Sequence, residues 1–230
     1  MEAIQLNRIK EMPGYQGIRQ EVKDYVWKEV VPRYAAFDPA HREEHALDVI
    51  YGVIALYDNA PEEVRSELDP EILFVAAACH DLGRINGKEH HHTDSAKIIR
   101  ADASLPGWFT PGQIETIAEA AEDHRASLDH EPRSMYGKMV AEADRLIDKD
   151  TVIRRTLQYG MSRYPELSEE GQIERALDHL YEKYGQDGYL KLWIPWSSNA
   201  LRLMEFRTQL SDPETAREEV VRVFHELKLR

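Results

Sequence analysis

The stretch "EILFVAAACHDLGRINGKEHHHTDSAKII", residues 71–99, joins an apolar run to a His-Asp pair and then to three consecutive histidines. The run from Ile72 to Cys79 has the composition of a buried helix. Burying a polar side chain without a partner costs on the order of a few kcal/mol, and an unpaired carboxylate costs more. Because His80 and Asp81 follow this run directly, the stretch predicts a compensating partner for both side chains.

Helical patterns dominate the remaining sequence. Apolar residues recur at spacings of three and four through residues 17–31 and 41–57. Gly83 is expected to end the apolar helix. Thr110 and Gln113 have the spacing of a capping box at the start of another helix. Further helices are predicted in the segments "SMYGKMVAEADRLID", "TVIRRTLQYGMSRY", "SEEGQIERALDHLYEKY" and "DPETAREEVVRVFHEL".

No strand pattern, repeat or low-complexity linker interrupts these helices. The least helical stretch, "YGQDGYLKLWIPWSSN", is expected to be a surface connection. The sequence therefore predicts an all-α fold, a helical bundle with additional C-terminal helices.

Composition limits the class of protein. The 230 residues, 42% hydrophobic and 31% charged, can form one sizeable core. A formal net charge of −13 disfavours a nucleic-acid polymer or an anionic membrane as the main partner, but it allows a small phosphorylated substrate. We expect a cytoplasmic protein with no membrane span, since neither a long apolar run nor a secretion signal is present. The single cysteine, Cys79, fits a reducing compartment and is expected to be a buried packing residue.

Six polar residues each lie either on the inner face or at the end of a predicted helix. They are His45, His80, Asp81, His91 or His92, His124 and Asp144. Packed helices can bring such residues to one point. Imidazole and carboxylate without thiolate suit Mn²⁺, Fe, Co²⁺, Ni²⁺, Mg²⁺ or Zn²⁺ and disfavour a structural zinc site. A divalent cation would offset the charge of Asp81 and bind a neutral imidazole on His80.

These segments together resemble the HD-domain metal-dependent phosphohydrolase superfamily. The matching elements are "EHALDV", "AAACHDLGR", "HHTDSAKII" and "AEADRLID", in order, over residues 36–150. The resemblance implies an all-α HD-domain-like bundle with a metal held by His45, His80, Asp81 and Asp144. Members with a second ion add two histidines, and here the candidates are His91 or His92, and His124. We favour His91 because it stands four residues before Ser95-Ala96, as the corresponding histidine does in members of the family that this chain resembles.

The resemblance also suggests a division of the chain. Residues 1–35 would form an N-terminal helix on the core, residues 36–150 the metal-binding catalytic domain, and residues 151–230 helices completing the same globule.

Basic residues near the ligand segments are candidates for substrate binding. Arginine can hold phosphate oxygens through two parallel hydrogen bonds. The candidates are Arg84, Lys88, Arg125, Arg133 and Lys138. His41 lies on the same helical face as His45 and competes with it as a ligand. His41, Lys88 and His92 stay open as the general acid.

The favoured hypothesis is a phosphohydrolase that acts on a small phosphorylated metabolite or nucleotide through a metal-activated water. The resemblance implies that Asp81 is its catalytic residue and that, with two metals bound, Asp81 bridges the ions. One alternative is an HD-type di-iron oxygenase, whose ligand count this sequence satisfies if His91 and His124 are both ligands. The other is a non-catalytic ligand-sensing domain, against which the complete ligand set argues. The substrate is not determined by the sequence, and a homo-oligomer stays open.

Overall fold

The structure, a computed structural model, describes residues 2–145 and 147–229, with side chains from residue 5 onward. Within these ranges the ordered elements are helices and none is a strand, which confirms the all-α prediction. None of the described helices is both long and apolar enough to cross a membrane. The chain divides into two compact units: residues 2–37, 41–145 and 193–197, and residues 38–40, 147–192 and 198–229. The predicted boundaries at residues 35 and 150 stay a prediction.

The first unit contains the α-helices α1 (Glu2–Lys10), α2 (Pro13–Gln16), α3 (Gln20–Tyr25), α4 (Glu43–Asp58), α5 (Glu62–Arg65), α6 (Pro70–Cys79), α7 (His91–Ala101), α8 (Pro111–Glu122) and α9 (Met135–Asp144). A π-helical turn at Val26–Val30 continues α3, and 3-10 turns form at Val31–Ala36, Leu82–Asn86 and Leu105–Gly107. The chain keeps turning past Pro32 because a proline is tolerated in the first turn of a helical segment.

Helix α6 is the centre of this unit. Every residue from Glu71 to Cys79 is buried, and the helix packs against α4, α8 and α9. Asp69 caps its first turn by accepting a hydrogen bond from the Glu71 backbone N–H at 2.9 Å. This arrangement confirms the buried apolar helix that the sequence predicts.

Gly83 has a different role from the one predicted. Helix α6 ends at Cys79, so the prediction that Gly83 ends it is wrong. Gly83 lies in the following 3-10 turn, and its backbone N–H donates to Ser95 Oγ at 2.9 Å. A Cβ atom at this position would lie 2.0 Å from the His91 carbonyl oxygen. Glycine is therefore needed because the turn after the His-Asp pair packs directly on the start of α7.

The capping box of α8 is confirmed, with Thr110 and Gln113 bonded reciprocally. This cap fixes the start of a helix whose far end leads into His124.

The second unit contains α10 (Lys149–Arg163), α11 (Glu169–Tyr184), α12 (Asn199–Leu210) and α13 (Pro213–Lys228). Helices α10, α11 and α13 pack on one another, and α12 packs on α11 and α13. Sequence patterns predicted α10, α11 and α13 but not α12.

The stretch between α11 and α12 is non-helical, as predicted, but it is not simply a surface connection. Ile194 is buried in the core of the first unit. The Trp193 backbone N–H donates to the Glu142 carboxylate at 2.8 Å, and Trp196 Nε1 donates to the Leu56 carbonyl at 2.9 Å. Residues 193–197 therefore belong to the first unit, because their apolar side chains and hydrogen bonds are satisfied there.

Candidate metal centre

The six predicted ligands lie at the ends of five helices of the first unit. His45 is in the first turn of α4, and His91 is the first residue of α7. His80 and Asp81 follow the last residue of α6, His124 lies just beyond α8, and Asp144 is the last residue of α9. Three of these ends are carboxyl ends, whose partial negative charge favours a cation.

One half of the cluster gathers four side chains. His45 Nε2 lies 3.1 Å from His80 Nε2, 3.3 Å from Asp144 Oδ1 and 3.5 Å from Asp81 Oδ2. His80 Nε2 lies 3.7 Å from Asp81 Oδ2 and 3.8 Å from Asp144 Oδ1. The side chains of His45, His80 and Asp81 are at least 95% buried, and that of Asp144 is 23% exposed. Asp144 therefore marks the side of the cluster that faces solvent.

The other half uses the second oxygen of the same aspartate. Asp81 Oδ1 lies 3.4 Å from His91 Nε2 and 3.5 Å from His124 Nε2. The two imidazole nitrogens are 3.1 Å apart. Asp81 thus presents one carboxylate oxygen to each half of the cluster.

Backbone carbonyls fix the protonation of three of the rings. In His80, His91 and His124, Nδ1 lies within hydrogen-bonding distance of a carbonyl oxygen three residues earlier in the chain. The pairs are His80 with Ala77, His91 with Lys88, and His124 with Ala121. A carbonyl only accepts hydrogen bonds, so each Nδ1 carries the proton and each Nε2 of the neutral ring presents a lone pair to the cluster.

These lone pairs face one another without protons between them. His91 Nε2, His124 Nε2 and Asp81 Oδ1 are all acceptors, and Oδ1 has no hydrogen-bond donor among the described residues although it is buried. Converging acceptors repel unless a cation lies between them. Ligands about 2.0–2.2 Å from one ion at tetrahedral or octahedral angles are separated by about 2.8–3.6 Å. Most of the separations observed in both halves fall in this range, so the residues fit a divalent ion in each half.

The charges agree with this fit. Burial by itself raises the pKa of the Asp81 carboxyl, but Arg84 and the adjacent histidines outweigh burial and hold that pKa well below its ordinary value. Burial lowers the pKa of His80 and of His91 to about 3. His80 and His91 are therefore neutral and Asp81 is ionised near neutral pH, which are the forms that bind a metal.

Tyr34 is a part of this site that sequence reasoning missed. It is fully buried, and its hydroxyl donates to the Ala78 carbonyl at 2.8 Å and accepts from the Asp81 backbone N–H at 3.3 Å. The same hydroxyl lies 3.5 Å from His80 Nδ1. No pattern in the sequence singles out Tyr34, because its role depends on a contact with residues more than forty positions away.

The structure shows which of the adjacent residues His91 and His92 faces the cluster. His91 lies in the cluster, whereas the buried His92 has Arg125 as a charged neighbour. Burial and Arg125 lower the pKa of His92 to about 4. The ring of His41 packs on the ring of His45 at 5.5 Å between centroids, so His41 lies beside the cluster rather than in it.

Of the five basic candidates, Arg84 contacts the cluster directly, and Lys88 and Arg125 belong to segments beside it. Arg84 Nε donates to Asp81 Oδ2 at 2.6 Å. The Lys88 carbonyl accepts from His91, and Arg125 Nη1 donates to the Glu89 carbonyl at 2.5 Å in the same loop. Arg84 therefore contacts the Asp81 oxygen that faces His45 and His80, whereas the loop that contains Lys88 and Glu89 adjoins His91.

The other two basic candidates are bonded to carboxylates outside the cluster. Arg133 binds Asp123, with Nε 3.0 Å from Oδ1. Lys138 forms an ion pair with Glu131. Their predicted role in substrate binding is untested, and their observed partners do not support it.

One of three comparisons with known proteins finds a match, and it agrees with this geometry. A family model described as the HD domain matches residues 42–148, a range that includes all six residues of the cluster. The comparisons with curated proteins and with solved structures find no match to this chain.

Proposed function

Because residues 42–148 form an HD domain, we propose that this chain is a metal-dependent phosphohydrolase acting on a phosphate ester or anhydride of a small metabolite or nucleotide. The observation that carries the proposal is the buried Asp81 carboxylate, whose two oxygens face two separate groups of potential ligand atoms. An aspartate in this position can bridge two cations.

We propose that the first ion is held by His45, His80, Asp81 and Asp144, and the second by Asp81, His91 and His124. Mn²⁺, Fe, Co²⁺, Ni²⁺, Mg²⁺ and Zn²⁺ are all compatible with nitrogen and oxygen ligands. A bound cation would act as a Lewis acid and would lower the pKa of a water molecule at the site.

The protein's own residues would orient the metal ligands and neutralise negative charge on the substrate. The backbone carbonyls bonded to the ring Nδ1 atoms hold the imidazoles in the ligating tautomer. Arg84 holds one Asp81 oxygen and places a permanent positive charge at the cluster. That charge would stabilise the negative charge that develops on phosphoryl oxygens, and Lys88 and Arg125 would add to it at the adjoining loop.

The first test is elemental analysis of protein purified without added metal, followed by a screen of phosphorylated metabolites with each candidate ion. Asp81→Ala should abolish metal-dependent phosphate release, because it removes a ligand from both halves, while the far-ultraviolet circular dichroism stays helical. Asp129→Ala, an exposed aspartate outside the cluster, is the matched control and should keep full activity. Full activity in Asp81→Ala would refute the metal role of Asp81.

A di-iron oxygenase is the second candidate function. The observation that favours it is the complete set of four histidines and two aspartates arranged around one shared carboxylate. Iron in the purified protein together with oxygen consumption on a substrate would select this candidate. Phosphate release without oxygen consumption would select the hydrolase, which the positive charge of Arg84 at the cluster supports.

We also propose that the protein works in the cytoplasm on a small phosphorylated partner, without a nucleic-acid polymer or a membrane. The lone buried Cys79 suits a reducing compartment. The net charge of −13 disfavours binding to polyanions.

A further inference from the structure

Asp123 is a buried carboxylate that stands next to the proposed ligand His124 in the chain. Only 1% of the residue is exposed, and it is the first residue after α8. A carboxylate buried to this degree requires strong hydrogen bonds or a positive partner. Asp123 is outside the set of ligand atoms that surround the centre, so its charge has another role.

Arg133 supplies both the hydrogen bonds and the charge. Its backbone N–H donates to Asp123 Oδ2 at 2.6 Å, its Nε lies 3.0 Å from Oδ1, and its Nη2 lies 2.8 Å from Oδ1. The guanidinium also binds Glu122 at 2.8 Å. Arg133 thus binds two carboxylates at the end of α8. The sequence suggested a contact with substrate instead.

This pair closes the loop between two ligand-bearing helices. Arg133 precedes Ser134, the residue that caps α9, and α9 ends at Asp144. Gly137 in the first turn of α9 packs on the same carboxylate: a Cβ atom there would lie 3.1 Å from Asp123 Oδ2. The carboxyl end of α8 is therefore fixed to the amino end of α9 at a tightly packed point.

The position of His124 depends on this contact between the end of α8 and the start of α9. Its ring is oriented by the Ala121 carbonyl in the last turn of α8, so the ring follows the backbone of that turn. We propose that Asp123 and Arg133 are a positioning pair that holds His124 in the second half of the metal centre. The inference rests on the proposed function, since it concerns the second of the two proposed ions.

The test is a calorimetric titration of metal-free protein with Mn²⁺, combined with elemental counting of bound ions. Arg133→Gln should weaken binding of the second ion about tenfold, as loss of supporting contacts around metal ligands typically does, and leave the first ion's affinity unchanged. Arg100→Gln is the matched control: Arg100 has the same 38% side-chain exposure and also approaches Glu122, at 4.0 Å, but its bonded partner is Glu115. It should change neither affinity.

A purely structural role would lower the melting temperature of the metal-free protein without this selectivity for the second ion. If Arg133→Gln does not fold, Asp123→Asn serves in its place, because asparagine keeps the shape and one acceptor oxygen. His124→Ala should remove the second ion, and adding Arg133→Gln to it should then have no further effect on metal binding.

The outcomes separate the two proposals. Wild-type protein that binds two ions, with Arg133→Gln indistinguishable from Arg100→Gln, would overturn the positioning pair alone. Wild-type protein that binds no divalent ion would overturn the proposed function, and the positioning role with it.

Discussion

At the scale of single residues, close approach of backbone segments decides the geometry of the second half of the cluster. Gly83 allows the turn after Asp81 to pack against the start of α7, where His91 begins the helix. With a methyl group at Gly83, the His91 carbonyl would have to move, because 2.0 Å is far inside van der Waals contact. A residue with no functional group thus determines where a ligand lies.

Gly83→Ala should therefore destabilise the protein by about 1–3 kcal/mol, the usual cost of overpacking, and remove binding of the second ion. Chemical denaturation and ion counting measure the two effects. Gly112→Ala is the control, because a Cβ built there meets nothing within 4 Å apart from its chain neighbours and its own helix backbone. Equal stability and equal metal content in the two variants would contradict this role of Gly83.

Cys79 precedes the His-Asp pair and is buried, as predicted. Burial raises the pKa of its thiol to about 12, so almost no reactive thiolate is present near neutral pH. The native protein should not react with a disulfide reagent at about pH 8, where an ordinary thiol is partly ionised, and it should react fully in guanidinium chloride. Rapid labelling of the folded protein would show that Cys79 is accessible.

At the scale of elements, the amino end of helix α6 is held by an ion pair between Arg19 and Glu71, which are 52 positions apart in the chain. The buried Glu71 carboxylate accepts from the Arg19 backbone N–H at 2.7 Å and from Arg19 Nε at 3.0 Å. Burial by itself would raise the pKa of Glu71, but the hydrogen bonds from Arg19 outweigh burial and lower it. The charged pair therefore stabilises the helix that carries the His-Asp pair.

The lowered pKa of Glu71 has a consequence for acid stability. The unfolded chain takes up this proton nearer the ordinary pKa of 4.5, whereas the folded protein takes it up at lower pH. The stabilisation is therefore complete above pH 4.5 and is lost as the pH falls through the folded-state pKa. Glu71→Gln should lose less unfolding free energy than the wild type between about pH 6 and about pH 3 in urea titrations. An identical loss in both proteins would exclude Glu71 as a source of acid sensitivity.

Local sequence patterns predicted some of the helices and missed others. The helices α6 and α8 were predicted because a buried apolar run and a capping box are local signals. Helix α12 was missed because its apolar residues include Leu201 and Met204, which are exposed, so the sequence does not show one clear apolar face. The loop at 193–197 was misjudged because its burial comes from residues far away in the chain.

At the scale of the whole molecule, the proposed ions would link five helix ends that are distant in sequence. A ligand that binds only the folded state at a hundred times its Kd adds about 2.7 kcal/mol of stability. For a chain of this size that corresponds to a rise of about 5–10 °C in melting temperature. Metal-free protein should show such a rise on addition of Mn²⁺ or another suitable ion.

Asp81→Ala should abolish most of that rise, because it weakens both halves of the cluster, while Asp129→Ala should keep it. Calorimetry with and without the ion measures the difference. The absence of any shift with every candidate ion would count against the cluster as a metal centre.

The sequence by itself determined the helical class, the central buried helix and the set of residue types suited to a divalent cation. These follow from local periodicity and from the chemistry of imidazole and carboxylate. Only the tertiary structure decided that His91 rather than His92 faces Asp81, and that Arg133 binds Asp123. Adjacent helical residues point about 100° apart, and an arginine can reach partners in several directions. Which direction is used depends on the helices packed around it, and that packing involves residues far apart in the chain.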